Sequence, residues 1–227
     1  MRRVGIMGGM GPLATIDLFK KIVELTKAKS DQENIPLLID NYPQIPDRTA
    51  FILGGDKDPL PQLIESAKRL KNGGCEALCI ACNTAHYFAD AIEKEVGIEI
   101  LRINTIAVEA IKRDFKGVKN IAVVGTTATK KAKIYDLVLS ANGFNSVEFK
   151  KEAQDRIMSA IYDGVKAGRV EWAANILESA LDEVKADLFI AGCTEIPVML
   201  PYLKEKRVFL DATNELAKAV VKYSLDD

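Results

Sequence analysis

Apolar residues along this chain follow two kinds of spacing. Short continuous runs rich in Val, Ile, Leu, Ala and Cys alternate with longer stretches in which apolar residues recur at helical intervals. Continuous runs are typical of parallel strands that helices cover on both faces. We predict strands at Arg3–Met7, Pro36–Asn41, Glu76–Ala81, Glu99–Arg102, Asn120–Val124, Ser146–Phe149, Asp187–Ala191 and Arg207–Leu210. Helical spacing is clearest at Leu13–Ala28, Leu60–Lys71, Thr105–Phe115 and Trp172–Val184. The pattern therefore predicts an α/β fold with parallel sheet.

The two halves of the chain repeat three landmarks in the same order. VGIMGGMGPLAT (4–15) corresponds to IAVVGTTATKKA (121–132), LCIACNTA (78–85) to LFIAGCTE (188–195), and LRINTIAVEAI (101–111) to FLDATNELAKAV (209–220). The first two landmarks are 74 residues apart from Gly8 to Cys82, and 68 residues apart from Gly125 to Cys193. We therefore predict two similar lobes related by a pseudo-two-fold axis. The first would comprise residues 1–103 and a returning C-terminal helix within 212–227, and the second residues 104–211.

Composition narrows the class of protein. Of the 227 residues, 48% are hydrophobic and 28% are charged, as in ordinary globular proteins. The net charge of −1 gives no basic excess for nucleic acid, and no apolar run approaches the roughly 20 residues of a membrane span. Glycines interrupt the N-terminal apolar run, which we predict to be a strand rather than a signal peptide. We expect a cytoplasmic protein in which the four cysteines are free thiols.

The loop after the first strand contains a formal dinucleotide-binding fingerprint. Gly9-Met-Gly11-Pro-Leu-Ala14 reads G-x-G-x-x-A, which makes a nicotinamide- or flavin-dependent oxidoreductase one alternative. That fingerprint requires an acidic residue about 20 positions further on, whereas Asp40 lies 29 residues after Gly11. What remains is a helix N-terminus whose free N–H groups can bind a small anion such as a carboxylate.

Cys79 and Cys82 form a CxxC pair, which is typical of redox and zinc sites. Within one strand, however, residues three apart point to opposite faces and lie roughly 10 Å apart, too far for a disulfide. A zinc site would also lack ligands, since His86 is the single histidine. We therefore expect Cys75 and Cys79 to be core or surface thiols, and we expect no metal.

Cys82 and Cys193 have a different setting, because each is predicted to follow the end of a strand. Asn83 and Thr84 are expected to cap the helix after Cys82, and Thr194 follows Cys193. A thiol beside a helix N-terminus lies in positive potential, which favours the thiolate. Ligands of parallel sheets bind at the carboxyl ends of the strands, so the two thiols would converge on one cleft between the lobes. Two thiols on the order of 7 Å apart fit removal of a proton from one face of a carbon and its return to the other.

The motifs GGMGPLAT, QIPDRTA, ACNTAH, VKAG and AGCTE follow one another along the chain. In this combination they closely resemble the pyridoxal-phosphate-independent aspartate racemases of the aspartate/glutamate racemase superfamily, over essentially the whole chain. The resemblance implies two flavodoxin-like α/β domains with the active site between them, usually in a homodimer, without cofactor or metal. It also implies that Cys82 and Cys193 are the two bases that act on the Cα proton of a small dicarboxylic amino acid.

The resemblance further assigns substrate-binding residues by motif. Arg48 in PDR (46–48) and Lys166 in VKAG (165–168) would supply two cations for a dicarboxylate. On its own, Lys166 would be predicted to lie at a solvated helix end, and a position on a surface turn is the alternative for Arg48. The other substrate contacts carried over by motif are Met10, Gly11, Asn83, Thr84, Thr126, Thr127, Thr194 and Glu195. Glu195 stands where the glutamate racemase branch has histidine, which favours the aspartate type.

The most specific prediction is therefore reversible racemisation of aspartate. Glutamate racemase, broad-specificity racemase or maleate isomerase activity is an alternative within the superfamily, because the fold and the thiols are shared. A non-enzymatic dicarboxylate-binding protein is the alternative from another class, and it would bind the acid without exchanging the Cα proton. His86, four residues after Cys82, is expected beside the site, where it either lowers the pKa of the thiol or packs against it.

Overall fold

The computed structural model describes residues 1–55 and 57–226. Its strands are β1 (Val4–Gly8), β2 (Leu37–Asn41), β3 (Ala77–Ile80), β4 (Glu99–Ile100), β5 (Asn120–Val124), β6 (Asn145–Val147), β7 (Leu188–Ala191) and β8 (Phe209–Asp211). Its α-helices are α1 (Pro12–Thr26), α2 (Arg48–Leu53), α3 (Leu60–Asn72), α4 (Ala89–Val96), α5 (Ile103–Asp114), α6 (Thr127–Lys131), α7 (Asp136–Ala141), α8 (Lys151–Ser159), α9 (Val170–Leu181), α10 (Ile196–Met199) and α11 (Ala212–Leu225).

The strands form two parallel four-stranded sheets with the same topology. The order is β2-β1-β3-β4 in the first sheet and β6-β5-β7-β8 in the second, and every neighbouring pair is parallel. Helices flank both sheets. The prediction of an α/β fold with two similar flavodoxin-like parallel-sheet domains is confirmed.

The eight predicted strands are all present, with ends that differ from the prediction by no more than two residues. The interior strands β1, β3 and β7 are buried at every position, which is why their sequences are continuously apolar. The largest differences are in edge strands, which have a partner on one side only. Thus β4 ends at Ile100 rather than Arg102, and β6 ends at Val147 rather than Phe149.

The helix that follows the last strand of each sheet packs against the opposite lobe. Helix α5 follows β4 of the first sheet and packs against α7 and β8, whereas α11 follows β8 of the second sheet and packs against α1 and α5. One apolar cluster consequently contains Ile6 and Leu18 from the first lobe together with Ile190 from the second, and Leu216 of α11. The division of the chain at residues 103/104 and 211/212 stays a prediction. No helix in the described residues is long and apolar enough to cross a membrane.

Candidate active site

Cys82 and Cys193 lie at corresponding places in the two lobes, just beyond the carboxyl ends of the interior strands β3 and β7. Each residue is 7% exposed. Both line the same cavity. The two sheets have the same strand order, and each cysteine loop follows the corresponding interior strand. Ligands bind at the carboxyl ends of such strands, so both thiols border one cavity.

A wider and more open cleft lies next to this cavity. It is lined by the loop after β1, by the segment that leads into α2, and by the second lobe at Val165 and Lys166. Four residues border both spaces, namely Met10, Arg48, Lys166 and Glu195. They therefore surround the passage from the open cleft to the thiols.

Cys193 belongs to a buried polar cluster centred on Glu195. The Cys193 thiol lies 2.8 Å from Glu195 Oε2, and the Thr194 hydroxyl donates to the same oxygen at 3.2 Å. Lys166 Nζ lies 2.9 Å from the other oxygen, Oε1. Burial raises the pKa of Cys193, and the Glu195 charge raises it further, whereas Lys166 partly opposes the effect. The thiol form is thereby favoured at Cys193.

Lys166 is carried by an irregular segment after α8. The chain forms a π-helical turn at Ala160–Gly164 and a 3-10 turn at Val165–Ala167, and such turns recur at functional sites. A Cβ at Gly164 would come within 2.4 Å of Ala173 Cβ, so glycine allows α9 to approach closely. Burial disfavours the Lys166 charge, but the neighbouring Glu195 opposes this effect, and the pKa of Lys166 is raised.

Arg48 supplies the positive charge on the Cys82 side. It is the first residue of α2, capped by the Asp47 carboxylate, which accepts from Ala50 N–H at 2.8 Å. Its guanidinium donates to the carbonyls of Met10 and Ile45, both at 3.2 Å. Burial works against its charge, but interactions with Cys82 and Asp47 raise the pKa of Arg48. Its buried Nε has no hydrogen-bond partner within the described part of the chain.

Asn83 provides a second unpartnered donor. Its side chain is buried, and Oδ1 accepts a hydrogen bond from the hydroxyl of Tyr135, which comes from the other lobe. The amide Nδ2 is buried without a partner among the residues described. Buried donors are nearly always satisfied in proteins, so Asn83 and Arg48, which both line this cavity, each keep one donor available for a ligand.

Thr84 faces the second lobe rather than its own helix. Its hydroxyl lies 3.0 Å from those of Thr126 and Thr129, which are 3.1 Å from each other. Thr126 also caps α6 by accepting from Thr129 N–H. The expectation that Asn83 and Thr84 cap the following helix is wrong, because neither side chain makes a capping bond. Both side chains are turned toward the opposite lobe instead.

His86 supports the Cys82 loop as a neutral imidazole. Ile103 N–H, at the start of α5, donates to Nε2 at 3.2 Å, so Nδ1 carries the proton and donates to the Cys82 carbonyl at 3.0 Å. Burial lowers the pKa of His86 to about 4. An imidazole with this pKa is uncharged at neutral pH and provides no positive charge to the thiol. Its part is to hold the Cys82 backbone against α5.

Most of the residues expected at the site meet in or beside the inner cavity. Those lining it are Met10, Arg48, Cys82, Asn83, Thr84, Thr126, Lys166, Cys193 and Glu195. Gly11 lines the outer cleft, where a Cβ would lie 3.7 Å from Lys166 Nζ, and Thr194 contacts Glu195. Thr127 lines a separate pocket beside β5 and β6.

Two further residues that were not predicted from the sequence, Thr49 and Tyr162, line the cavity. Tyr162 comes from the π-helical turn, and its hydroxyl reaches across to the Asp47 carboxylate at 3.0 Å, which ties Arg48's helix to the second lobe. Burial raises the pKa of Tyr162, so the phenol is protonated. The sequence could have indicated Tyr162, because it lies four residues before Lys166 and residues four apart lie on the same side of a helical turn.

The alternative chemistries find no support in the side-chain geometry. Cys79 lies inside β3, fully buried, with its pKa raised by burial to about 12, while Cys82 opens onto the cavity. Asp40, the candidate ribose ligand, is held by Arg69 at 2.8 Å. No group of three or more His, Cys, Asp and Glu side chains that could hold a metal ion occurs within residues 1–55 and 57–226.

Several known proteins are similar to this chain over most of its length. A sequence model of the Asp/Glu/hydantoin racemase family matches residues 7–220. The chain is 26% identical to the broad-specificity amino-acid racemase RacX of Bacillus subtilis over 96% of each sequence. It is 28% identical to the glutamate racemase of Aquifex pyrophilus over 72% of this chain and 65% of that protein. The solved structure of Picrophilus torridus aspartate racemase superposes with a TM-score of 0.87 at 28% identity, covering 99% of this chain and 94% of that one.

Proposed function

This chain is an amino-acid racemase of the Asp/Glu/hydantoin racemase family, and we propose that it interconverts L- and D-aspartate by proton transfer between Cys82 and Cys193. The observation that carries the proposal is the single cavity lined by both thiols together with Arg48 and Asn83, each of which has a buried donor without a partner among the described residues. A substrate carboxylate satisfies those donors, and its Cα then lies between the sulfurs.

In the proposed mechanism, one cysteine acts as a thiolate and removes the Cα proton. The other acts as a thiol and delivers a proton to the opposite face, so the configuration inverts. The electron pair left on Cα is delocalised into the α-carboxylate, whose added charge is stabilised by the Asn83 amide, the Arg48 guanidinium and nearby backbone N–H groups. Each sulfur serves as base in one direction and as acid in the other.

The preference for a dicarboxylic substrate rests on two cations at separate places. Arg48 lies on the first lobe and Lys166 on the second, and both border the passage to the thiols. The similarity to an aspartate racemase across nearly the whole chain supports aspartate. The similarity to RacX over 96% of both sequences supports a broader range as the second candidate.

We also propose that pyridoxal phosphate takes no part. A Schiff base requires an uncharged lysine, whereas Lys166, the lysine that lines the inner cavity, is paired with Glu195 and has a raised pKa. Activity should survive treatment with hydroxylamine, which removes pyridoxal phosphate from its enzymes. A loss of activity that added pyridoxal phosphate restores would contradict this.

The experiment for the proposed function is a substrate panel in heavy water. Both enantiomers of aspartate, glutamate and alanine are incubated with the protein, then scored for Cα deuterium by mass spectrometry and for inversion by chiral chromatography. Aspartate should exchange and invert fastest from either enantiomer. Equal rates for all three amino acids would favour the broad-specificity alternative, and binding without exchange would leave only a dicarboxylate-binding protein.

A homodimer is proposed as the assembly, with the outer face of α1 as its interface. Leu13, Ile16, Phe19 and Val23 are exposed on that helix, and Phe19 borders a groove beside the edge strand β2. The ion pairs Asp17–Lys21 and Lys20–Glu24 place both signs of charge around the apolar residues. A patch with mixed charges at its rim can meet its own copy without like-charge repulsion.

Sedimentation equilibrium tests the interface. Ile16→Lys should produce monomers, because the charge would be buried at the centre of the contact. Leu137→Lys, at a comparably exposed position of the second lobe, should leave the dimer intact. A dimer that survives Ile16→Lys would place the interface elsewhere. A cytoplasmic location stays a prediction based on the four free thiols.

A further inference from the structure

The two thiols of the cavity have unequal electrostatic surroundings. Cys193 has a carboxylate at 2.8 Å, Glu195 Oε2, and Glu195 is the one acid among the described residues that line the cavity. Cys82 instead shares its cavity wall with the buried guanidinium of Arg48, whose pKa is raised by interaction with that cysteine even though burial opposes it. One thiol therefore faces an anion and the other a cation.

The contact between Cys193 and Glu195 requires a proton between sulfur and oxygen. A thiolate and a carboxylate at 2.8 Å would repel each other strongly in a buried site, whereas a thiol donates a hydrogen bond to the carboxylate. Thr194 donates to the same oxygen and Lys166 to the other. Three donors are therefore directed at the two oxygens of the Glu195 side chain.

We propose that Glu195 is a positioning residue that keeps Cys193 protonated in the substrate-free enzyme, so that Cys193 starts as the acid and the first proton transfer is left to Cys82. This inference rests on the proposed racemase function and gives Glu195 a part other than contact with the substrate. Glu195 acts through the Cys193 sulfur and the Lys166 ammonium, without touching the reacting carbon. An enzyme that binds substrate in this state begins with the enantiomer whose Cα proton faces Cys82.

Lys166 limits the effect of the Glu195 carboxylate on the pKa of Cys193. Lys166 lowers the pKa of Cys193 while burial and Glu195 raise it, so Cys193 can still lose its proton when it donates to the substrate carbanion. Replacing Glu195 by glutamine removes the anion and leaves the cation. The thiol pKa at Cys193 should then fall. The other titratable groups near this sulfur or lining its cavity are Lys166, Tyr135, Tyr162, Arg48 and Cys82.

Alkylation of the thiols tests the inference without any assay of racemisation. Iodoacetamide reacts with thiolates, and peptide mass spectrometry distinguishes the four cysteines. In the wild-type protein at pH 7, Cys82 should be alkylated faster than Cys193. Glu195→Gln should speed alkylation of Cys193 about tenfold or more, since one pKa unit is a factor of ten in thiolate, and should leave Cys82 little changed.

The pH profile of racemisation is the second readout. Racemisation needs one thiolate and one thiol, so its alkaline limb reports loss of the thiol proton. In Glu195→Gln this limb should move to lower pH by about one unit, with activity recovering on acidification. Glu195→Asp keeps the charge and should keep the wild-type profile at a lower rate. Glu152→Gln, on the exposed face of α8, is the matched control and should change nothing.

Two results would overturn the inference. One is an alkylation rate for Cys193 that is equal in the wild type, Glu195→Gln and Glu195→Asp, or faster than that of Cys82 in the wild type. The other is a Glu195→Gln variant that loses racemisation equally at every pH, as a purely structural role predicts. Absence of Cα exchange in the wild-type protein would instead refute the proposed function, and the alkylation comparison would still stand.

Discussion

The two cysteine loops occupy equivalent places in the fold, yet the residues that follow each thiol differ in kind. Two positions after the cysteine, the first loop has Thr84 and the second has Glu195. Thr84 bonds to hydroxyls of the opposite lobe, whereas Glu195 bonds to its own cysteine and to Lys166. The first loop thus connects the lobes, and the second sets the charge at its own thiol.

A second difference lies four positions after each cysteine. The first loop has His86, which holds the Cys82 carbonyl, and the second has Pro197 in the first turn of α10. The Cys193 carbonyl accepts a backbone bond from Ile196 instead. A site with similar strands and dissimilar loops can catalyse a nearly symmetric reaction while each sulfur keeps its own protonation state.

Removing each thiol in turn should have the largest effect. Cys82→Ala and Cys193→Ala should each lower racemisation by about 10²–10⁴-fold, the usual contribution of a general acid or base. Racemisation needs both groups, so the two losses should be similar even though the loops differ. Chiral chromatography of aspartate measures them. A variant that retains more than a tenth of the activity would contradict the two-base mechanism.

Elimination from threo-3-chloroaspartate separates the two thiols, because it needs a base alone. The thiolate takes the Cα proton, chloride leaves Cβ, and the resulting enamine hydrolyses to oxaloacetate and ammonia. Cys193→Ala should lose elimination from one enantiomer and keep it from the other. Cys82→Ala should show the reverse, with a lower remaining rate at neutral pH because Glu195 favours the thiol form of Cys193. Loss of both reactions in either variant would indicate that the loop had collapsed.

The sequence predicted the framework well because the framework depends on local patterns. Continuous apolar runs located β1, β3 and β7, and the strand ends located both thiols, since a residue just after an interior parallel strand must lie at the edge where ligands bind. The repeated landmarks indicated two similar lobes. None of these inferences required knowing how the lobes are oriented.

Contacts between the lobes were beyond the sequence. The bond from Tyr162 to Asp47 joins residues 115 positions apart, and Tyr135 to Asn83 spans 52. No spacing rule connects such pairs. The same limit explains the wrong prediction for Thr84, because its local sequence fits a helix cap and only the neighbouring lobe supplies Thr126 as a stronger partner.

The histidine of the first loop should make stability depend on pH. Burial lowers the pKa of His86 to about 4 from an ordinary value of 6.5, so below pH 6.5 the unfolded chain binds a proton that the folded chain does not. Stability is fully present above pH 6.5 and is lost as the pH falls toward 4. Between pH 7.5 and 5.5 the loss should be about 1 kcal/mol.

Urea unfolding measures this loss cleanly because His86 is the single histidine. His86→Gln should be about 1–3 kcal/mol less stable at pH 7.5, for the two buried hydrogen bonds, and should be nearly independent of pH down to 5.5. A variant with the wild-type pH dependence would mean that another group titrates. The second loop has proline in the corresponding position, so this pH dependence belongs to the first lobe alone.

The threonine contact between the lobes should have the smallest effect. Thr84→Val keeps the shape of the side chain but removes the hydroxyl that lies 3.0 Å from Thr126 and Thr129, at a cost of about 1 kcal/mol. Thr126 and Thr129 retain their bond to each other, which limits the loss. Thr105→Val, at an exposed position of α5, is the control and should be nearly neutral.

A double-mutant cycle with Thr129→Val decides whether Thr84 stabilises the protein through the second lobe. If the hydroxyls act as one network, the loss in the double variant should be smaller than the sum of the single losses by at least about 0.5 kcal/mol, as is typical for residues in contact. Additive losses would mean that each hydroxyl is stabilised within its own lobe. In that case each cysteine loop would be stabilised within its own lobe. The remaining difference between the two loops would be the Glu195 carboxylate beside Cys193.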